Sequence, residues 1–190
     1  MKIILLHHRR LLLWAACFIF LAGVFFLSGL HNQVAGVFSG GEREVPIYAV
    51  DTKEKKLAIS LDAAWGADCT PSLLKILKEN NIKTTFFLTG IWVKEYPEMV
   101  KKIAESGHEL ANHSSTHPHC NSLSEEEFLK ELKENEEMIY KLTKKRTRLF
   151  RPPFGEYDNT NIRAARKNGY EVIQWSVDSL DWQEAGVEAV

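Results

Sequence analysis

Between Leu57 and Val177 the chain alternates short apolar or β-branched runs with longer segments of helical period. That rhythm predicts βα units, and so a parallel sheet with helices packed outside it. Leu57–Leu61 reads as a first strand, Thr84–Leu88 as a second and His108–Asn112 as a weaker third. Leu149–Phe150 begins a fourth, and Glu171–Val177 makes a fifth. Between them, Thr70-Pro71 supplies an N-cap and a helix-opening proline ahead of Leu73, Leu74 and Leu77. Pro97 opens a helix carrying Val100 and Ile103, which Gly107 closes. Ser124 to Glu127 forms a capping box before a long helix with Phe128, Leu132, Ile139 and Leu142. Asp158 caps one more, ended by Gly169. A doubly wound sheet and a barrel both satisfy this pattern, and periodicity does not choose between them.

The N-terminal segment obeys a different rule. Leu11 to Leu30 is a run of 20 residues without a charge, roughly 30 Å of helix and about one hydrocarbon thickness. Lys2, Arg9 and Arg10 precede it, so the positive-inside bias keeps the N-terminus cytoplasmic and sends the rest outward. An uncleaved single-pass membrane anchor is the first reading. A removed secretory signal is the second, since Val34-Ala35-Gly36 is a passable cleavage site. Either places the domain outside the cytoplasm. The expected organisation is a stub and transmembrane helix over residues 1–30, a polar tether over 31–55 and a globular domain over 56–190.

Composition removes some function classes. Lys and Arg total 24 against 25 Asp and Glu, without the cationic excess that sequence-blind nucleic-acid binding needs. The three cysteines, Cys17, Cys69 and Cys120, are too few for a disulfide scaffold.

The chemically unusual residues share one address. Asp62 follows the first strand, His113 and His117 the third, Arg151 the fourth, and Asp178 with Asp181-Trp182 the fifth. All strands of a parallel sheet end on the same side, where barrels and open α/β sheets both build their sites. His113 and His117 stand at i and i+4; if the stretch begins a helical turn, both rings face one way and can share a cation. Taken alone the pair reads equally as two surface histidines in a polar loop, and His119 and Cys120 stand close enough to count as further ligands. Phe150 to Gly155 is stiffened by two prolines, and an Arg entering such a wall can grip a carboxylate with both arms of its guanidinium, or simply face solvent at a turn.

Asp62-Ala63, the His113…His117 pair before Pro118, Arg151-Pro152-Pro153-Phe154, and Asp178 to Trp182 occur in that order. From about Leu57 onward the chain resembles the NodB-homology polysaccharide deacetylases, the family 4 carbohydrate esterases. The anchor and the Asp-Ala-Ala-Trp-Gly stretch look most like the membrane-attached members of spore-forming Gram-positive bacteria. The resemblance implies a distorted (β/α) barrel of fewer than eight strands that deacetylates chitin-like or peptidoglycan sugars. It also implies a divalent metal, zinc ahead of cobalt or manganese. By the same resemblance Asp62 matches the general base, His113 and His117 the metal ligands, and Arg151 the residue that orients the base. Pro153, Phe154 and Trp182 match the groove around the acetyl group, and Asp181 the carboxylate that tunes the catalytic acid.

Two departures accompany the match. The family's second aspartate, a metal ligand, is Ala63 here; Asp68 is the nearby acidic residue able to stand in, and the other readings are a water or a weaker two-histidine site, or a site that no longer binds metal. The last family motif, a Leu-x-His bearing the general acid, has no counterpart before Val190, which leads us to expect a C-terminally incomplete barrel, unstable and catalytically poor. The alternatives to an enzyme are a glycan-binding relic of the same fold and a membrane-anchored interaction protein.

Overall fold

A computed structural model of the chain describes residues 43–183, together with Trp14, Gly23 and Val24, which are helical. The expected anchor over residues 1–30 otherwise lies outside the described residues. Among those described, no helix is long and apolar enough to cross a membrane.

The five strands are β1 (Ser60–Ala63), β2 (Thr85–Leu88), β3 (Glu109–Asn112), β4 (Leu149–Phe150) and β5 (Glu171–Val172). They stand side by side in chain order, every neighbouring pair parallel. A doubly wound sheet reverses its order at a switch point; this one never does, so right-handed crossovers set its helices on one face, as in a barrel wall. The curl is measurable. Arg151, one residue past β4, places its guanidinium 2.6 Å from Asp62 and 2.7 Å from Ser60 of β1. In a flat sheet three strand spacings would hold β4 and β1 about 14 Å apart.

The helices are α1 (Thr70–Glu79), α2 (Gly90–Glu95), α3 (Pro97–Glu105), α4 (Glu125–Thr143) and α5 (Asn159–Lys167). The capping box of α4 forms in full, and Asp158 caps α5 by accepting from the Asn161 amide at 2.7 Å. Helix α4 joins two apolar clusters. Phe128 and Leu132 pack with Phe150 and Ile162, whereas Ile139 packs with Phe86, Leu88 and Trp92. Helix α2 has no periodic stripe and opens on a glycine, which hides it in the sequence; Thr89 caps it through the Trp92 amide.

Three expectations need correction. The first strand is Ser60–Ala63 rather than Leu57–Leu61, because its register is fixed by pairing with Thr85–Leu88, and Leu57 is left 82% exposed. Asp62 therefore lies within the strand. The fifth strand stops at Val172, not Val177. Beyond it Ile173 bridges to Ile47, with hydrogen bonds of 2.8 Å on either side. The expected tether therefore ends sooner than residue 55: the compact domain begins at Glu44, whose carboxylate bonds Arg163 and Arg166 of α5. That segment covers part of the β5 edge, which would otherwise present unpaired backbone groups.

Candidate active site

The site is assembled around Arg151, which is buried. Its Nη1 donates to Asp62 Oδ1 at 2.6 Å, and its Nη2 donates to Ser60 Oγ at 2.7 Å and to the Gln174 carbonyl at 3.4 Å. The guanidinium carbon lies 4.1 Å from the centre of the Phe87 ring, a cation–π contact from below. Two prolines follow, so the chain leaving Arg151 has fixed φ and little freedom to swing the side chain away. The guanidinium reaches the expected carboxylate with one arm rather than two: Nη1 alone holds Asp62, while Nη2 turns to Ser60 and Gln174, partners that with Phe87 carried no recognisable signal.

The backbone of Arg151 serves the first histidine. Its carbonyl lies 2.7 Å from His113 Nδ1. A carbonyl only accepts, so Nδ1 carries the proton and Nε2 is left with a free lone pair, the tautomer a metal ligand needs. That Nε2 is 3.8 Å from Asp62 Oδ2, the carboxylate oxygen Arg151 does not hold.

The two imidazoles meet, but not through a helical turn. Ser114 and His117 both take left-handed φ values, 67° and 58°, which rules a helix out. The loop is held from both sides instead. Asn112 Oδ1 accepts the Ser114 amide at 2.9 Å, and Ser114 Oγ accepts the His117 amide at 3.0 Å. From α4, Glu131 accepts the amides of Ser115 and Thr116 and the Thr116 hydroxyl, at 2.8, 2.7 and 2.9 Å. From α2, the amides of Gly90 and Ile91 donate to the carbonyls of Ser114 and Ser115. Gly90 has to be glycine, since a Cβ there would stand 2.9 Å from the Ser115 backbone. The outcome is two rings 4.9 Å apart, edge to face. Glu131 is one acid among many on a helix face, so nothing in the sequence singles it out.

Both imidazoles are kept neutral. Burial pushes the pKa of His113 down, against the opposing pull of Asp62. Burial, reinforced by His113, lowers His117 to about 4. Neutral nitrogen donors suit zinc, and also cobalt and manganese less strongly, so the donor chemistry fits a divalent cation held by His113 and His117. A protein carboxylate to complete the set is not in place. Among the described residues, no group of three or more His, Cys, Asp or Glu side chains is arranged to hold a metal ion. Ala63 packs against the apolar cluster around Trp92. Asp68, the expected stand-in, forms no such group with the two imidazoles among the described residues.

The remaining candidates divide. Phe154 reaches the site, with its ring 4.6 Å from that of His117 and 4.3 Å from that of His119. Pro153 is buried beside it. His119 turns to Glu156, at 2.8 Å. Cys120 is a core residue whose thiol burial pushes up to about 12, so it is no thiolate ligand. Asp181 and Trp182 are not brought in. With β5 ending early, they sit in an exposed turn held by local bonds, Ser179 Oγ to Asp181 and the Leu180 amide to Asp178, each 2.9 Å.

The model of the polysaccharide deacetylase family matches residues 49–173. The chain belongs to the polysaccharide deacetylase family. The match spans every strand and includes Asp62, His113, His117 and Arg151. A peptidoglycan-N-acetylglucosamine deacetylase of Bacillus cereus is 30% identical over 153 residues, covering 80% of this chain and 56% of that protein. Among solved structures, a CE4-family pseudoenzyme from Bacillus anthracis matches with a TM-score of 0.74 and 34% identity, over 76% of this chain and 52% of that one. A mutant of that pseudoenzyme with restored enzymatic activity matches with the same TM-score and 36% identity, over 76% and 53%. The chain spans about half the length of the curated relatives it matches.

Proposed function

We propose that this chain works in a metal-dependent hydrolase that removes N-acetyl groups from cell-wall or spore-wall glycan, either peptidoglycan or a chitin-like polymer. The observation that carries this reading is the pairing of Asp62, gripped by Arg151, with the unprotonated Nε2 of His113 at 3.8 Å. Relatives named for peptidoglycan N-acetylglucosamine, peptidoglycan N-acetylmuramic acid and chitooligosaccharide support the substrate class.

His113 and His117 would hold the cation. When bound, a divalent cation polarises the acetyl carbonyl and acidifies water, which an unreactive amide requires. Asp62 is the general base: Arg151 occupies Oδ1 and aims Oδ2 at the imidazole side, where it takes a proton from the attacking water. Arg151 acts on the reaction only through Asp62 and His113. Pro153 and Phe154 wall the groove beside His117 and limit water around the acetyl group. Residues 1–30 form a single-pass membrane anchor in this reading, with the domain extracytoplasmic.

A second reading has specific support. Ala63 stands where the family supplies a metal-binding aspartate, and a CE4-family pseudoenzyme is among the similar structures. In that reading the chain keeps a glycan groove without turnover. Acetate release from acetylated chito-oligosaccharides, measured on the protein extended to the length of its relatives, separates the two. The enzyme reading expects release with zinc, cobalt or manganese and its loss on adding chelator. Glycan binding with no release under any of the three metals contradicts it and leaves the relic.

A further inference from the structure

We propose that Trp65 is the stacking platform on which this site carries the apolar face of a pyranose ring. The assignment rests on the deacetylase reading above and adds a residue that the reading does not require. Trp182, which the resemblance put in the groove around the acetyl group, lies in the exposed turn past β5, whereas Trp65 stands against His117.

Four observations converge on Trp65. It lies just past the carboxyl end of β1, three residues from Asp62, on the side of the sheet where Arg151, His113 and His117 meet. Its ring lies 5.0 Å from that of His117 at 67°, an edge-to-face contact that occupies at most one face of the indole. It is 76% exposed, so it forgoes most of the burial that large aromatic side chains usually contribute. Its loop is nevertheless fixed. The indole nitrogen of buried Trp92 donates to the Gly66 carbonyl at 2.6 Å, and Gly66 makes the turn at φ 62°. An exposed indole on a pinned loop is organised in advance for a ligand, which lowers the ordering cost of binding.

A second ring flanks the same imidazole. Phe154 is 56% exposed and sits at φ 58°, a conformation non-glycine residues seldom adopt and that tends to mark ligand clamps. Trp65 and Phe154 thus leave apolar faces beside His117, while Asp62, His119 and Glu156 supply polar groups at the same place. That mixture suits a sugar, which presents C–H faces and hydroxyl edges on one small ring.

Calorimetric titration of the full chain with a soluble N-acetylglucosamine tetramer, with zinc and again with chelator, tests the assignment. Trp65→Ala weakens tetramer binding by about tenfold, as loss of an aromatic anchor does. Trp65→Phe stays within about threefold of the parent chain, and Trp65→Leu, apolar but without a π face, behaves like the alanine variant. Zinc affinity and melting temperature stay unchanged in all three. Unaltered tetramer binding by Trp65→Ala and Trp65→Leu overturns the platform and leaves the deacetylase reading intact. Joint loss of zinc and tetramer also overturns it, since Trp65 would then be supporting His117. An unsubstituted chain that binds no tetramer under either condition contradicts the deacetylase reading itself, and the platform falls with it.

Discussion

Arg151 grips Asp62 with its side chain and His113 with its main chain: Nη1 stands 2.6 Å from the carboxylate, and the carbonyl 2.7 Å from the imidazole Nδ1. One residue therefore fixes both the Asp62 carboxylate and the tautomer of His113. Only its guanidinium is open to mutation, which makes the two roles separable by experiment.

Arg151→Lys keeps a cation but loses the fork that spans Asp62 and Ser60. Acetate release is expected to fall by at least about tenfold, with zinc binding largely retained because the carbonyl survives. Arg151→Ala also removes a buried side chain that bonds Asp62, Ser60 and the Gln174 carbonyl, and is expected to cost about 1–3 kcal/mol in urea denaturation. Wild-type activity in the lysine variant contradicts the orienting role.

Ala63→Asp restores a carboxylate at the position where the family places a metal ligand. Zinc affinity measured by calorimetry is expected to rise by about tenfold or more. An unchanged affinity means that a side chain at this position does not reach the imidazoles, and that His113 and His117 with water are the whole seat.

Glu131→Gln tests how the imidazole loop is held. The carboxylate takes three donors from Ser115 and Thr116. An amide offers one acceptor and turns a donor toward the others, so the loop loses about 1–3 kcal/mol of support. Weaker zinc binding with a lower melting temperature is the expected outcome. Thr116→Val removes the hydroxyl bond alone and has the smaller effect on both. Zinc binding indifferent to Glu131 places the loop's rigidity elsewhere.

The lowered pKa of His117 gives stability a pH dependence of definite sign. The folded value, about 4, lies below the ordinary value of 6.5, so between them the unfolded chain binds more protons. This contribution is fully present above pH ~6.5, declines as pH falls toward 4 and is gone below it. The metal-free melting temperature should accordingly rise from pH 4 to 6.5, with a shallower slope in His117→Gln. Equal slopes in the two proteins place the proton uptake on other groups.

Much of this was legible in the sequence. The strand–helix alternation gave the layers, and Pro71, Pro97, Ser124 and Asp158 marked helix starts because caps and prolines are local signals. Asp62, His113, His117 and Arg151 announced themselves by residue type and by sharing the carboxyl ends of strands. Chain order within the sheet was not legible, since the choice of barrel over doubly wound sheet depends on which strands pair. Ile47 could not be read as a partner for Ile173, nor Glu131 as an anchor for Thr116, because such contacts close over long separations without a local pattern. The two left-handed residues in the histidine loop were hidden for the same reason: Ser114 and His117 are held there by Asn112, Glu131 and α2, not by their own preferences.

The central claim is that His113 and His117 hold one cation while Asp62, beside it, is base and not ligand. Zinc stoichiometry in the purified chain and in His113→Ala, His117→Ala and Asp62→Asn tests it most directly. The account predicts one zinc in the parent chain, none in either alanine variant, and one in Asp62→Asn together with loss of acetate release. Zinc retained by both alanine variants, or lost from Asp62→Asn, contradicts it.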